Sequence, residues 1–152
     1  MRSFRNVLCG AMVACAALVF GAGPASAQGP GVRAGVSVDP DQFYVGGHFE
    51  TDELIDHLYL RPNLEVGFGD DVTTVAVNIE AVYKFPLKNR RDTNFYAGGG
   101  PAINIYDRDN GSDAKGGLNL LGGIEFGKVF VEVKGGVFDS PNLKIGIGYT
   151  FR

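Results

Sequence analysis

Leu143-Lys144-Ile145-Gly146-Ile147-Gly148-Tyr149-Thr150-Phe151-Arg152 alternates with period two: Leu143, Ile145, Ile147, Tyr149 and Phe151 share one face, and Lys144, Gly146, Gly148 and Thr150 the other. Successive side chains of a strand point to opposite faces, so the stretch reads as a strand with one apolar and one polar side. A soluble barrel turns its apolar side inward. Here the alternate side is glycine and charge, which suits a strand with hydrocarbon outside and a polar lumen inside.

Seven further segments upstream repeat the alternation, at residues 31–38, 42–51, 58–69, 72–85, 93–106, 115–126 and 129–138, with residues 143–151 as the eighth. Aspartate favours turns because its short side chain bonds nearby backbone, and all eleven (Asp39, Asp41, Asp52, Asp56, Asp70, Asp71, Asp92, Asp107, Asp109, Asp113 and Asp139) are read as breaks between segments. One face carries no charge, running from Val32, Ala34 and Val36 through Leu64, Val66, Val77, Ile79, Ile103 and Val131 to the final strand. The other face holds Arg33, His48, Glu50, Arg61, Glu65, Glu80, Lys84, Glu125, Glu132, Lys134 and Lys144, together with Asn78 and Asn104. Five glutamates meet five certain cations there. Buried singly, each charge would cost several kcal/mol, so the pattern predicts a paired network across a narrow lumen.

The expectation is an all-β fold: an eight-stranded antiparallel up-and-down transmembrane β-barrel. An even strand number brings both termini to one end, and closure removes edges whose N–H and C=O groups would go unsatisfied in hydrocarbon. Phe43, Phe49, Tyr83, Phe85, Phe95, Phe126, Tyr149 and Phe151 near strand ends are candidates for interfacial girdles. Pro62 and Pro101 fall inside strands, where they cannot donate to a ladder, and predict bulges. Phe130 and Phe138 fall on the lumen side, which predicts a shifted register or a plug in the seventh strand.

At the other end of the chain Arg2 and Arg5 precede an apolar run from Val7 to Phe20 and then Ala25-Ser26-Ala27. Residues 1–27 read as a cleaved secretory signal peptide, leaving residues 28–152 as one barrel domain; the apolar run is too short for a transmembrane helix of about 20 residues. Cys9 and Cys15 lie in the removed part, so no thiol chemistry is expected of the rest. Removing Arg2 and Arg5 from the 14 basic residues, and none of the 17 acidic ones, leaves a net charge of −5, which argues against nucleic acid as a partner. Glycine, 23 of the 152 residues, disfavours helices.

Asn94-Phe95-Tyr96-Ala97-Gly98-Gly99-Gly100-Pro101-Ala102 and Gly146-Ile147-Gly148-Tyr149-Thr150-Phe151 resemble the small bacterial outer-membrane β-barrel family, which includes the membrane domain of outer membrane protein A and opacity-type surface proteins. The resemblance implies an outer-membrane location in a Gram-negative bacterium, contact with outer-membrane lipids and lipopolysaccharide, passage by periplasmic chaperones, and insertion by the barrel-insertion machinery. It also implies a porin-like, monomeric barrel without a cofactor, and an assembly signal at Gly146, Tyr149 and Phe151. The family ends on the aromatic residue, whereas this chain adds Arg152. Long external loops, common in such relatives, are missing here; the connections near 39–41, 69–71, 107–113 and 139–142 carry eight aspartates and Arg108, and the opposite connections Lys88, Arg90, Arg91 and Lys128.

Asp107, Asp109 and Asp113 alternate around a turn and offer hard oxygen ligands for Ca²⁺, but Asn110-Gly111 is itself a strong turn signal and no glutamate completes a calcium loop, so a plain hairpin is favoured. An enzyme would have to use His48 with Glu50 and a serine such as Ser37; a turn near Pro40 sets His48 opposite Arg33 and Ser37 opposite Tyr44, too far apart for a nucleophile and its base. No enzyme is expected. Lumen glycines at 98, 100, 123, 146 and 148 leave either a narrow water path or room for Tyr44, Tyr96 and Arg61, and eight strands favour the filled interior. On this view Gly148→Ser should matter less than Ile147→Arg, which sets a charge on the apolar face. The expected role is structural, in envelope maintenance. The competing readings are a soluble periplasmic lipocalin-like barrel with its apolar face inward and, less favoured, an outer-membrane lipid-modifying enzyme.

Overall fold

The alternation converts into eight strands: β1 (Pro30–Val38), β2 (Gln42–Phe49), β3 (Leu58–Phe68), β4 (Thr73–Leu87), β5 (Arg90–Arg108), β6 (Gly111–Phe126), β7 (Val129–Phe138) and β8 (Leu143–Thr150). The computed structural model describes residues 29–151; the expected signal peptide, both cysteines and Arg152 lie outside the described residues. Each strand pairs antiparallel with the next, and β8 returns to β1 from Gly31↔Thr150 to Val38↔Leu143, giving a closed up-and-down barrel. No described helix accompanies it.

Side-chain parity holds around the wall. Val36, Phe43, Ile79, Ile103, Leu120, Val133 and Ile147 point outward and are exposed, whereas Arg33, Glu50, Arg61, Glu65, Glu80, Glu125 and Lys134 point inward and are buried. Ile147 is 54% exposed and Arg61 0%. The chain thus places its apolar surface outside and its charge inside.

Several expectations change in detail. β5 and β6 run almost to the Asp109-Asn110 turn, so Asp92, Asp107 and Asp113 belong to strands and do not mark breaks. Gly111, at φ +132°, takes the conformation that opens this hairpin at small cost only for glycine. In the first hairpin His48 pairs with Gly31 and Ser37 with Gln42, a register two residues from the one the turn suggests.

Neither Pro62 nor Pro101 makes a bulge. The β3–β4 register runs unbroken through Pro62↔Ile79 and the β5–β6 register through Pro101↔Leu118; the shift in the wall lies instead at Pro86/Leu87. A proline removes one donor without adding a residue, and alternate residues donate to the same neighbour. Thr51 N–H donates to Leu60 O at 3.0 Å, so Pro62, two residues on, aims its nitrogen at β2 where that strand ends. Gly127 N–H donates to Asp92 O at 2.6 Å, which by the same alternation aims Pro101 at β4; there the ladder skips from Asn78↔Ala102 to Ala81↔Gly99 without changing register.

β7 is unshifted along both neighbours. Phe130 fills the interior at 1% exposure, but Phe138, expected inside, is 78% exposed. Its φ of +64° ends the strand and turns the ring out.

Pro101→Val supplies the missing N–H opposite Ile79. It is expected to raise the unfolding free energy by about 1 kcal/mol, measured by urea titration of the folded barrel followed by circular dichroism. A decrease would contradict the account of the ladder gap.

Candidate functional site

The inward residues of six strands, with Glu50 just past β2, converge on one chain of charges of alternating sign. At the end bearing the termini, Glu125 faces Lys84 at 3.2 Å, and Lys84 contacts Glu50 at 2.7 Å. Glu50 accepts from Arg61 Nη2 at 2.6 Å and Nε at 3.2 Å. Arg61 continues to Glu132 at 3.3 Å, Glu132 to Arg33 at 3.4 Å, and Arg33 to Glu65 at 3.1 Å. Glu65 also receives Lys134 at 3.2 Å and Lys144 at 2.6 Å, and Lys134 closes on Glu80 at 2.5 Å. All ten charged residues expected in the lumen are therefore buried and joined. His48 lies beside them, its Nε2 3.0 Å from Thr150 Oγ1 and its ring edge-on to Phe130 at 5.3 Å.

β5 contributes no charge to the interior. It supplies Tyr96, whose hydroxyl donates to Glu132 at 2.9 Å and whose ring lies 4.9 Å from the Arg61 guanidinium. Arg61 and Arg33 also lie 5.0 and 5.4 Å from the Phe130 centroid. A cation over an aromatic face is attracted by the ring quadrupole, so these rings help replace lost hydration.

Two features were not read from the sequence. Val82, Tyr96, Leu121 and Phe130 form an apolar cluster inside the barrel; Val82 and Leu121 have the inward parity, which their apolar character masks. Asn119 donates to Asn78, Asn78 to Asn63 and Asn63 to Glu80, each at 2.8 Å. This row runs into the charge chain and spans β6, β4 and β3.

Glycines complete the packing. A Cβ on Gly123 would meet the Tyr96 ring, on Gly146 the Tyr44 hydroxyl, and on Gly148 the tip of Phe130. Gly148→Ser therefore carries a packing cost against Phe130 that alternation alone does not show. An interior cavity of about 10 Å³ beside Tyr44, Glu65 and Lys144 has room for at most one water. At the loop end Ser140 sits against Gly117 and Gly136, while Tyr106 donates to Asp139 O at 3.0 Å, so the β7–β8 turn covers the mouth.

The candidate chemistry follows from these positions. Ser37 donates to Pro40 O at 2.8 Å, while His48 lies six residues beyond Ser37's partner Gln42, roughly 20 Å along the strand. No nucleophile–base pair forms between them. Asp107 accepts from Ser112 at 2.6 Å and Asp113 lies 3.9 Å from Lys115, and these groups do not gather with Asp109 into a ligand set. Among the described residues the three-residue cluster of ligand type is Glu53, Asp56 and His57, in the β2–β3 loop, where His57 N–H donates to Glu53. No protein-family model matches this chain, and no curated protein is similar to it.

Removing one member of a buried ion cluster leaves its partners under-compensated. Arg61→Ala, which leaves Glu50 to Lys84 and Glu132 to Arg33, is expected to cost about 3 kcal/mol in urea unfolding. Gly148→Ser is expected to cost about 1–3 kcal/mol in the same assay, with part of the loss recovered in Gly148→Ser/Phe130→Leu; equal losses in the single and double variants would contradict the contact.

Proposed function

We propose that this chain is a small, non-enzymatic outer-membrane β-barrel of a Gram-negative bacterium, with a structural role in the envelope. The observation that carries the reading is the inversion of the wall: the large apolar side chains of the strands face out, and five glutamates and five cations face in. In water the exposed apolar faces would be a liability, whereas in hydrocarbon they are the favoured surface. The closed hydrogen-bonded ring meets the second demand of a bilayer, that backbone groups be satisfied within the protein.

The aromatic residues support the same reading. Phe85 pairs with Phe95 across the β4–β5 ladder, and Tyr83, Phe126, Tyr149 and Phe151 lie near the same barrel end, all exposed. Tyr83–Phe85 and Tyr149–Phe151 ring centroids are 4.9 and 5.1 Å apart. Such a belt suits an interface between hydrocarbon and head groups. Gly146, Tyr149 and Phe151 then serve both as the closing strand and as an assembly signal for the barrel-insertion machinery. The filled cross-section favours a barrel with little or no conduction.

The lipocalin-like alternative needs an apolar cavity inside. The interior is occupied by the ion network and by Phe130, which leaves such a ligand no comparable space.

Membrane fractionation tests the proposal. The protein is expected in the outer-membrane fraction and to migrate differently on gels before and after boiling; release into the periplasmic fraction without detergent would sink it. Ile147→Arg is expected to weaken folding into bilayers by about 2–4 kcal/mol if the residue sits near the midplane, measured by urea titration in lipid vesicles.

A further inference from the structure

The two rims of the barrel differ in charge. The loop rim carries eight aspartates against Arg108 and Lys115, whereas the β4–β5 hairpin and the β6–β7 turn at the terminal rim carry Lys88, Arg90, Arg91 and Lys128 against Asp92. These four cations are exposed, and none of the ion pairs among the described residues involves them. The two turns adjoin, since Thr93 pairs with Phe126 and Gly127 N–H donates to Asp92 O. They make one basic sector. Acidic residues of the same rim, Asp52, Glu53 and Asp56, belong to the β2–β3 loop, which meets β4 where His57 O accepts from Lys84 N–H at 2.9 Å; His57 lies against Glu53 and Asp56 there.

The sector stands just beyond the aromatic belt. Lys88 follows Phe85 by three residues, Arg91 precedes Phe95 by four, and Lys128 follows Phe126 by two. At about 3.3 Å per residue and a strand tilt of about 40°, the cations lie within about 10 Å of the rings along the barrel axis. The head-group layer is itself about 5–8 Å deep on each side of the hydrocarbon, so rings at its inner edge put the cations at the level of the phosphates. Cations at that level with no ion-pair partner among the described residues attract anionic head groups, and a guanidinium fork matches phosphate geometry.

We propose that Lys88, Arg90, Arg91 and Lys128 form a binding surface for anionic phospholipid head groups in the leaflet that meets the terminal rim. The inference rests on the membrane reading above. Its test is lipid selectivity of the full barrel in phosphatidylcholine vesicles, probed by electron spin resonance with spin-labelled phosphatidylglycerol against spin-labelled phosphatidylcholine. Wild type is expected to prefer phosphatidylglycerol at low salt and to lose the preference at 1 M salt, where the screening length falls to about 3 Å. The preference is expected to fall by up to about fivefold for each cation replaced by glutamine, and to vanish in the fourfold variant Lys88→Gln/Arg90→Gln/Arg91→Gln/Lys128→Gln. Arg108→Gln/Lys115→Gln, at the opposite rim, is expected to leave it unchanged.

Heat modifiability of each variant shows that it has folded. An inserted wild type without the preference, a fourfold variant that keeps it, or its loss on changing Arg108 and Lys115 would overturn this inference alone. A wild type that never enters vesicles would overturn the membrane reading and this one with it.

Discussion

Ten charged side chains share a buried interior, and the structure depends on their being paired there. A single buried charge is costly, and its partner recovers that cost only when geometry and the remaining hydrogen bonds are good. The contacts that achieve this join strands that are not neighbours. Arg33 of β1 reaches Glu65 of β3 and Glu132 of β7, Lys84 of β4 reaches Glu125 of β6, and Lys134 of β7 reaches Glu80 of β4. An open sheet could not make these contacts. The ion network and the closed wall therefore require one another, and a one-residue slip of any strand would carry its charges to the apolar outer face.

Pairing also sets a problem of volume. Long cations, glutamates and three large rings must share a section that eight strands leave only wide enough to fill with side chains. The glycines of β6 and β8 solve it locally: Tyr96 lies over Gly123, Tyr44 over Gly146 and Phe130 over Gly148. Each large ring thus covers backbone that a Cβ would have occupied. The rings then serve the charges as well, since Tyr96 and Phe130 face the guanidinium of Arg61.

Strand number, closure and the face of every buried ionic residue were legible in the sequence, because period two ties identity to side along the wall. The pairing partners were not, since they depend on how eight registers add up around the ring. His48 illustrates this: a two-residue change in the first hairpin moves it from Arg33 to Gly31 and brings it to Thr150. Val82 and Leu121 were hidden for another reason, because apolar residues on an inner face look like errors of alternation. Pro62 and Pro101 misled because sequence shows a missing donor but not the neighbour at which the nitrogen is aimed. Glycine carried the least legible information: alternation placed Gly148 inward and could not show the ring in front of it.

β5 shows how these constraints meet. Its inward residues Gly98, Gly100 and Ala102 are small, and its Pro101 leaves a gap in the ladder to β4 beside Ile79 and Glu80. Backbone hydrogen bonding is interrupted there, in a wall that needs its polar groups satisfied. Asn119 lies opposite Gly100 on one side of β5, and Asn78 opposite Ala102 on the other, and the two amides meet across it at 2.8 Å. A Cβ on Gly100 would meet the Ile79 carbonyl and the Glu80 backbone. The small inner face of β5 thus permits a side-chain bond between β4 and β6 beside the break in the ladder, and the same asparagine row, through Asn63 and Glu80, ties this part of the wall to the central charges.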